Sequence, residues 1–593
     1  MVTWLKSKAR NENLFYCSIP IILIFLALIL FRPSFSTNDD VEVRSLLDGK
    51  RYGKPEYHIP YINSILTYLM SLLYTAWGTV YWYEIFLTLT SLMSCSILIY
   101  SFRASALKFE ITLYFPILFM ISILMFKSIN SMSYTNTAVL LTGTSVVLFY
   151  RYEYCDLSNS KKRFLYLAWV YLIFLLGYLS RPTLCLTVLV FLAPSLLLPI
   201  ARKKLRGTKL TLLFVASASL WICNYIGSIA YRESNWQAWK RLMDSFIWPG
   251  DFNLLSDSIR NLTHSFLLVR LGVSESQIQL WYSANNIDPN LFSRRFIDAT
   301  QHIPVIFDSD LILGHLSGFF HSYWYYLFLA TLLVCHRWHL YFFYQGSMER
   351  SSTAKLPLFL MTFQYIYGLL FFIVLITYRK DVQRVSIGLI ISFVSILIAI
   401  GYSNERFNPI VPLSKGFLSK LFPVLICTIS LILILNTIQN RPGVRNIFGG
   451  NFIASDFEKS ELVATKYISS LPQCKDSEIR ARKCTLFLHT NSSLPFAQTQ
   501  NTNVRKLYLF WSAFSPKWEE SILDSGGRDS LDLLCSNRGF LLNSEDSVAI
   551  VRNYIGEARD VLIDSIPVSS MADSKGLIGR GISLTVGSSV GEC

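Results

Sequence analysis

The chain has 593 residues, of which 52% are hydrophobic, 15% aromatic and only 16% charged, with a formal charge of +15. Soluble domains carry about 25% charged residues, so this deficit places most of the chain in lipid. The basic excess suits Lys and Arg gathered in cytoplasmic loops, and with no compact basic domain to hold a duplex, nucleic acid is not an expected partner.

In chain order, the first apolar run, Leu14 to Phe31, follows the basic leader Lys6, Lys8 and Arg10. A membrane helix needs about 20 mostly apolar residues. A cleaved signal peptide is the alternative, with Ser34 and Ser36 as small residues for a cleavage site. With the leader inside, the stretch Ser36-Thr37-Asn38-Asp39-Asp40 emerges outside. The segment Tyr61 to Trp77 is short and tyrosine-rich and reads as an interfacial helix.

Further apolar runs follow at about 82–102, 110–127, 134–150, 164–180, 183–200, 210–229, 314–335, 356–377, 385–402 and 418–436. The expected fold is therefore an α-helical polytopic membrane protein of about 11 transmembrane helices. Its N-terminus lies inside and its tail outside. Basic groups at Lys161-Lys162-Arg163, at Arg202-Lys203-Lys204 and at His336-Arg337 fall in expected inner loops. The short outer loop Tyr378 to Arg384 breaks the rule with Arg379, Lys380 and Arg384, which invites a functional reading.

The chain divides into a membrane module, 1–436, and a polar tail, 437–593. Within the module lie a first outer loop with its interfacial helix, 34–81, and a large outer loop, 230–313. The latter carries Trp236, Trp239, Arg241 and Trp248 at helical spacing. In the tail, strand-like Cys484 to His489 and Leu507 to Trp511 and helical Ser544 to Ile555 suggest a small extracytoplasmic α/β domain. Its Gly- and Ser-rich end, from about Lys575, reads as poorly ordered. Cys474 and Cys484 are close enough in sequence for a disulfide if the tail faces an oxidising compartment. No Cys or His grouping has zinc spacing.

The outer face thus holds Asp39 and Asp40 early and a cationic cluster late. A sugar carried on a polyprenyl phosphate would need both. Its leaving group is already a stable anion, so one carboxylate suffices to take a proton from an acceptor hydroxyl. Cations then stabilise charge on the departing phosphate. A glycosidase pair stands several ångströms apart across the bond, which adjacent residues cannot easily span. The pair therefore splits into base and orienter or metal ligand. Two carboxylates alone are an incomplete site for Mg or Mn, which prefer six oxygens.

The layout, with an acidic pair directly after the first span, then Leu47-Asp48-Gly49-Lys50, Gly53-Lys54-Pro55-Glu56-Tyr57-His58 and Tyr81-Trp82-Tyr83, resembles the GT-C superfamily of integral-membrane glycosyltransferases. That superfamily includes protein O-mannosyltransferases and aminoarabinose transferases. The resemblance spans roughly residues 10–435 in architecture and the first hundred in motif. It implies a polyprenyl-phosphate-sugar-dependent transferase acting on the extracytoplasmic face with inversion, Asp39 or Asp40 as base, and Arg379, Lys380 and Arg384 on the donor phosphate. It leaves a divalent cation, the sugar, and a glycan, lipid or protein acceptor open.

Blander readings stand beside these. The acidic pair could be a solvated loop, and the late cations could anchor helices at anionic headgroups. Arg181, before Pro182, could snorkel or reach the donor phosphate. His58 and Tyr57 could contact substrate or serve structure. Trp236 and Arg241 could stack on a sugar or anchor at the interface. Other classes are a lipid-linked-sugar flippase, disfavoured by spans nearly free of mid-depth charge, and a polysaccharide polymerase or ligase.

Overall fold

Parallel pairing of two short strands far apart in sequence sets the architecture of the N-terminal part. In the computed structural model, β1 (Ser34–Phe35) lies against β2 (Ser131–Met132), Ser34 facing Ser131 and Phe35 facing Met132. The structure describes residues 34–35, 38–49, 52, 54–106, 131–154, 160–190, 207–229, 269, 273–282, 363, 366–367, 456–475, 484–488, 504–508, 516–536, 538–559, 564–567 and 582–586.

Helix α1 (Asn38–Leu47) begins directly after β1, so Asp39 and Asp40 sit in a helical first turn rather than in the expected loop. Carboxylates there complement the positive end of the helix dipole. The chain then turns at Gly49, whose φ of +74° and close approach to Lys54 and Pro55 leave no room for a Cβ. Helix α2 (Ser64–Ala76) is capped by Asn63, whose Oδ1 accepts from the Ile65 amide. It falls within the expected segment Tyr61 to Trp77; Ser64, Leu66, Thr67, Met70, Ser71 and Tyr74 are buried along it, while Tyr68, Leu69 and Leu72 are exposed.

Helices α3 (Trp82–Ala106), α4 (Tyr134–Tyr154), α5 (Ser160–Ser180) and α6 (Gly207–Ile229) coincide with four of the expected apolar runs. Small residues bring α4 and α5 together. A Cβ on Gly177 would lie 2.9 Å from Thr142 Oγ1 and 3.2 Å from the Ala138 carbonyl, the close backbone approach that membrane helix pairs favour. Helix α6 is tied to α2 through Asn63 Nδ2, which donates to the Cys223 carbonyl, and Ser64 Oγ, which donates to that of Gly227. Large apolar side chains face outward on α5 (Phe164, Leu165, Trp169) and on α6 (Trp221, Ile222, Tyr225). Among the described residues no helix is long and apolar enough to cross a membrane, so the expected 11 spans are not shown. The runs at about 110–127, 314–335, 385–402 and 418–436 lie outside those residues, as do most of 183–200 and 356–377.

Helix α7 (Glu275–Tyr282) precedes the described segments of the tail in sequence. There α8 (Asp456–Ser470), α9 (Pro472–Lys475), α10 (Pro516–Asp524), α11 (Ser530–Cys535) and α12 (Glu545–Arg559) accompany a five-stranded sheet of order β4-β3-β5-β7-β6. Strands β3 (Cys484–Leu488), β4 (Val504–Tyr508) and β5 (Gly539–Ser544) run parallel, while β6 (Asp564–Pro567) and β7 (Ile582–Val586) add antiparallel pairs. The α/β reading of the tail holds, with two corrections. Strand β4 starts at Val504, three residues before the expected Leu507, because Arg505 and Lys506 engage Ser521 and Glu461 and so take part in the fold. The Gly/Ser-rich end is not wholly unordered. Ile582, Leu584 and Val586 alternate at strand period, Leu584 is buried, and β7 lies between β5 and β6.

Cys474 and Cys484 form the anticipated disulfide between the end of α9 and the start of β3, and Cys535 is disulfide-bonded as well. Cys484→Ser is expected to lower the stability of the tail by about 2–3 kcal/mol. Unfolding of the full chain with and without reductant checks this, and equal midpoints would count against it.

One buried apolar cluster joins the two parts of the molecule. It includes Val43, Leu46, Ile59 and Met70 from the N-terminal part and Phe487, Trp518, Ile522 and Val551 from the tail.

Candidate active site

Asp40 is 0% exposed. Its Oδ1 accepts a hydrogen bond from the Tyr83 hydroxyl at 2.9 Å and another from the Tyr134 backbone amide at 3.0 Å. The β1–β2 pairing makes this possible by laying the start of α1 against the start of α4. A solvated-loop reading therefore fails for Asp40. Asp39 lies one residue earlier in the same helical turn.

Tyr134 also connects this carboxylate to a cation. The Arg181 guanidinium stands 5.4 Å from the Tyr134 ring centroid and 5.2 Å from that of Tyr61. Its Nη1 donates to Thr135 Oγ1, and its Nε is buried with no hydrogen-bond partner. Two rings and a hydroxyl fix Arg181 at the junction after α5, so it does not snorkel along a helix. Tyr61 takes φ +67°, a left-handed state that costs a non-glycine residue roughly 1–2 kcal/mol. Strain of that kind persists where the surroundings over-determine it and clusters at functional sites.

A second layer braces α1 from below. Arg44 Nε sits 2.8 Å from Glu84 Oε1 and 3.8 Å from Asp48 Oδ2, with its guanidinium 4.8 Å from the Tyr81 ring centroid. Tyr74 accepts from the Tyr83 amide through its hydroxyl. Burial first, and the Glu84 charge second, push the Tyr74 phenol well above its ordinary value, so it stays neutral.

His58 and Tyr57 occupy a separate corner. Glu56 Oε1 accepts from the Tyr57 amide at 2.8 Å, the His58 amide at 3.0 Å and lies 2.6 Å from His58 Nδ1. The Tyr57 ring stacks on His58 with centroids 4.2 Å apart. Glu56 Oε2 accepts from the Lys517 amide of α10 at 3.2 Å. Close by, the hydrogen bond from Lys517 holds the Glu520 carboxyl below its ordinary value, helped by the charge of Lys54.

The structure thus brings Asp40 and Arg181 together through Tyr134 and keeps Tyr57 and His58 as a stacked pair. Arg379, Lys380, Arg384, Trp236 and Arg241 lie outside the described residues. Tyr61, Tyr134 and Thr135 carried no role in the sequence reading. The pairing of their neighbours Ser131 and Met132 with β1 is a long-range fact that no local motif signals. Among the described residues, no three His, Cys, Asp or Glu side chains gather to hold a metal ion.

No family model and no curated protein matches the chain. Among solved structures, it is similar to ArnT from Cupriavidus metallidurans in the apo state, with 9% identity and a TM-score of 0.38, covering 98% of this chain and 99% of that one. The same enzyme bound to undecaprenyl phosphate aligns over the same shares at 10% identity and a TM-score of 0.36. A likeness this faint carries no argument about activity, so the chemistry rests on the residues themselves.

Proposed function

We propose that the protein is a membrane glycosyltransferase that moves a sugar from a polyprenyl-phosphate donor to an acceptor hydroxyl on the extracytoplasmic face, with inversion. The observation that carries this reading is the junction at Tyr134, whose amide binds the Asp40 carboxylate while its ring lies under Arg181. A carboxylate turn and a cation held within one residue of each other match what a phosphate-leaving transfer needs. The exposed apolar faces of α2, α5 and α6 support a lipid surround, because contiguous apolar surface of that kind is rare in water.

In this scheme Asp39 takes the proton from the acceptor hydroxyl, and the acceptor oxygen attacks the anomeric carbon from the face opposite the phosphate. The bond from that carbon to the phosphate oxygen breaks, and its electron pair leaves with the polyprenyl phosphate. Asp40 is the orienter. Its Oδ1 is committed to Tyr83 and Tyr134, so it fixes the first turn of α1 and with it Asp39. Arg181 stabilises the departing phosphate, joined by Arg379, Lys380 and Arg384. Tyr57, His58, Trp236 and Arg241 contact sugar or acceptor. No step is routed through Mg or Mn.

The test uses full-length protein in nanodiscs with undecaprenyl-phosphate-linked pentoses and hexoses as donors. Release of undecaprenyl phosphate is the expected result. For Arg181→Ala, apparent affinity for undecaprenyl phosphate should fall about tenfold to a hundredfold, the worth of one charge-assisted contact. A wild-type chain that releases nothing from any of these donors, or an Arg181→Ala chain that binds the carrier as well as wild type, would sink the reading.

A further inference from the structure

The Glu56 carboxylate divides its two oxygens between two parts of the molecule. Oε1 takes the amides of Tyr57 and His58 and the His58 ring nitrogen, all from its own segment. Oε2 takes the Lys517 amide, in the first turn of α10, from 461 positions away. A carboxylate at a helix N-terminus meets both an unsatisfied amide and the positive end of the dipole. Glu56 is 1% exposed, and its own amide donates to the Leu46 carbonyl at 2.9 Å, anchoring it to the end of α1.

The surroundings repeat the link in other chemistry. Lys517 pairs with Glu520 at 2.8 Å, and Lys54 adds its charge to that carboxylate. Beneath them Trp518 is buried against Phe487 and shares one apolar cluster with Ile59. The Tyr57 carbonyl is held by Thr67 Oγ1 at 2.6 Å, which pins the same residues to α2.

We propose that Glu56 is a positioning residue through which the C-terminal domain holds Tyr57 and His58 in register for substrate; this rests on the proposed reading of those two side chains as substrate contacts. Two of the four residues read from the sequence as substrate contacts, beside Trp236 and Arg241, are the two whose amides Glu56 binds. The fourth donor belongs to the tail. Loosening α10 therefore loosens Tyr57 and His58, and the tail becomes a determinant of which acceptor or donor fits. Glutamine cannot replace the carboxylate fully, because it offers one acceptor oxygen and turns an N–H donor toward either the loop amides or the Lys517 amide.

The experiment compares Glu56→Gln and Glu56→Ala with wild type in the full-length protein, by hydrogen exchange and by transfer kinetics with the undecaprenyl-phosphate donors above. In Glu56→Ala, exchange at the amides of Tyr57, His58 and Lys517 should accelerate together, by about tenfold or more. The apparent KM should rise about fivefold or more with kcat changed less than about twofold, the pattern of lost binding rather than lost chemistry. Glu56→Gln, of equal size, should show the same direction with smaller amplitude, and it decides the matter where the alanine variant does not fold. Faster exchange confined to Tyr57 and His58, with Lys517 still protected, overturns the link to the tail. Joint acceleration with an unchanged KM overturns the positioning role. A wild-type chain without transfer activity overturns the transfer reading instead, and exchange, which needs no substrate, separates that failure from failure of the link.

Discussion

Asp39→Asn should lower sugar transfer by about 10²–10⁴-fold, the usual worth of a general base, while leaving the unfolding midpoint within about 0.5 kcal/mol of wild type. Asp40→Ala should behave in the opposite way. Removing that carboxylate leaves the Tyr83 hydroxyl and the Tyr134 amide without the acceptor they now share. Each buried donor left unsatisfied costs about 1–3 kcal/mol, so the variant should lose about 2–5 kcal/mol of stability. Asp40→Asn retains an acceptor oxygen and should cost about 1–2 kcal/mol. Transfer assays and denaturant unfolding on the same preparations separate the two roles. If Asp39→Asn keeps full activity while Asp40→Asn, folded normally, loses it, the assignment of base and orienter is reversed.

Glu84→Ala should destabilise the same region by about 3 kcal/mol, because breaking a buried ion pair strands the remaining charge. Arg44 is left with only the more distant Asp48 and the face of Tyr81. The double variant Arg44→Met with Glu84→Leu should recover most of that loss, since exchanging a buried pair for apolar groups is often close to neutral. Equal losses in single and double variants would show that the two residues act independently. Arg44 lies on α1, one turn after Asp40, so loss of the pair should reach activity only through that helix.

Local patterns made the secondary structure legible and left most of the site hidden. Apolar runs at 82–102, 134–150, 164–180 and 210–229 mark helices α3 to α6 because burial in a helical layer writes itself as composition. The tail strand at Cys484 and the helix expected over Ser544 to Ile555, observed over Glu545–Arg559, follow from period. The Cys474–Cys484 disulfide was legible from the spacing of the two cysteines. The helical start at Asn38 was missed, since a carboxylate pair beside a span reads equally as loop or as capped turn. Tyr83 and Tyr134 could not be named as partners of Asp40, because 43 and 94 positions separate them from it. Strand β7 was missed for a related reason. Its three apolar residues stand among Gly and Ser, and the partners that stabilise it, the strands on both sides and the apolar cluster around Leu584, are distant in sequence.

The bond from Lys517 to Glu56 also constrains how the chain matures. Its two ends are 461 positions apart, and a ribosome adds roughly 5–20 residues per second. The segment around Glu56 is therefore made well before the surface that covers it. Until Trp518 and Ile522 arrive, Val43, Leu46 and Ile59 lack part of the apolar cluster they finally share. Exposed apolar surface in such an interval is what chaperones bind and what drives misassembly. A chain stopped before α10 leaves that surface uncovered for good, so quality control can distinguish finished copies from truncated ones by a single patch.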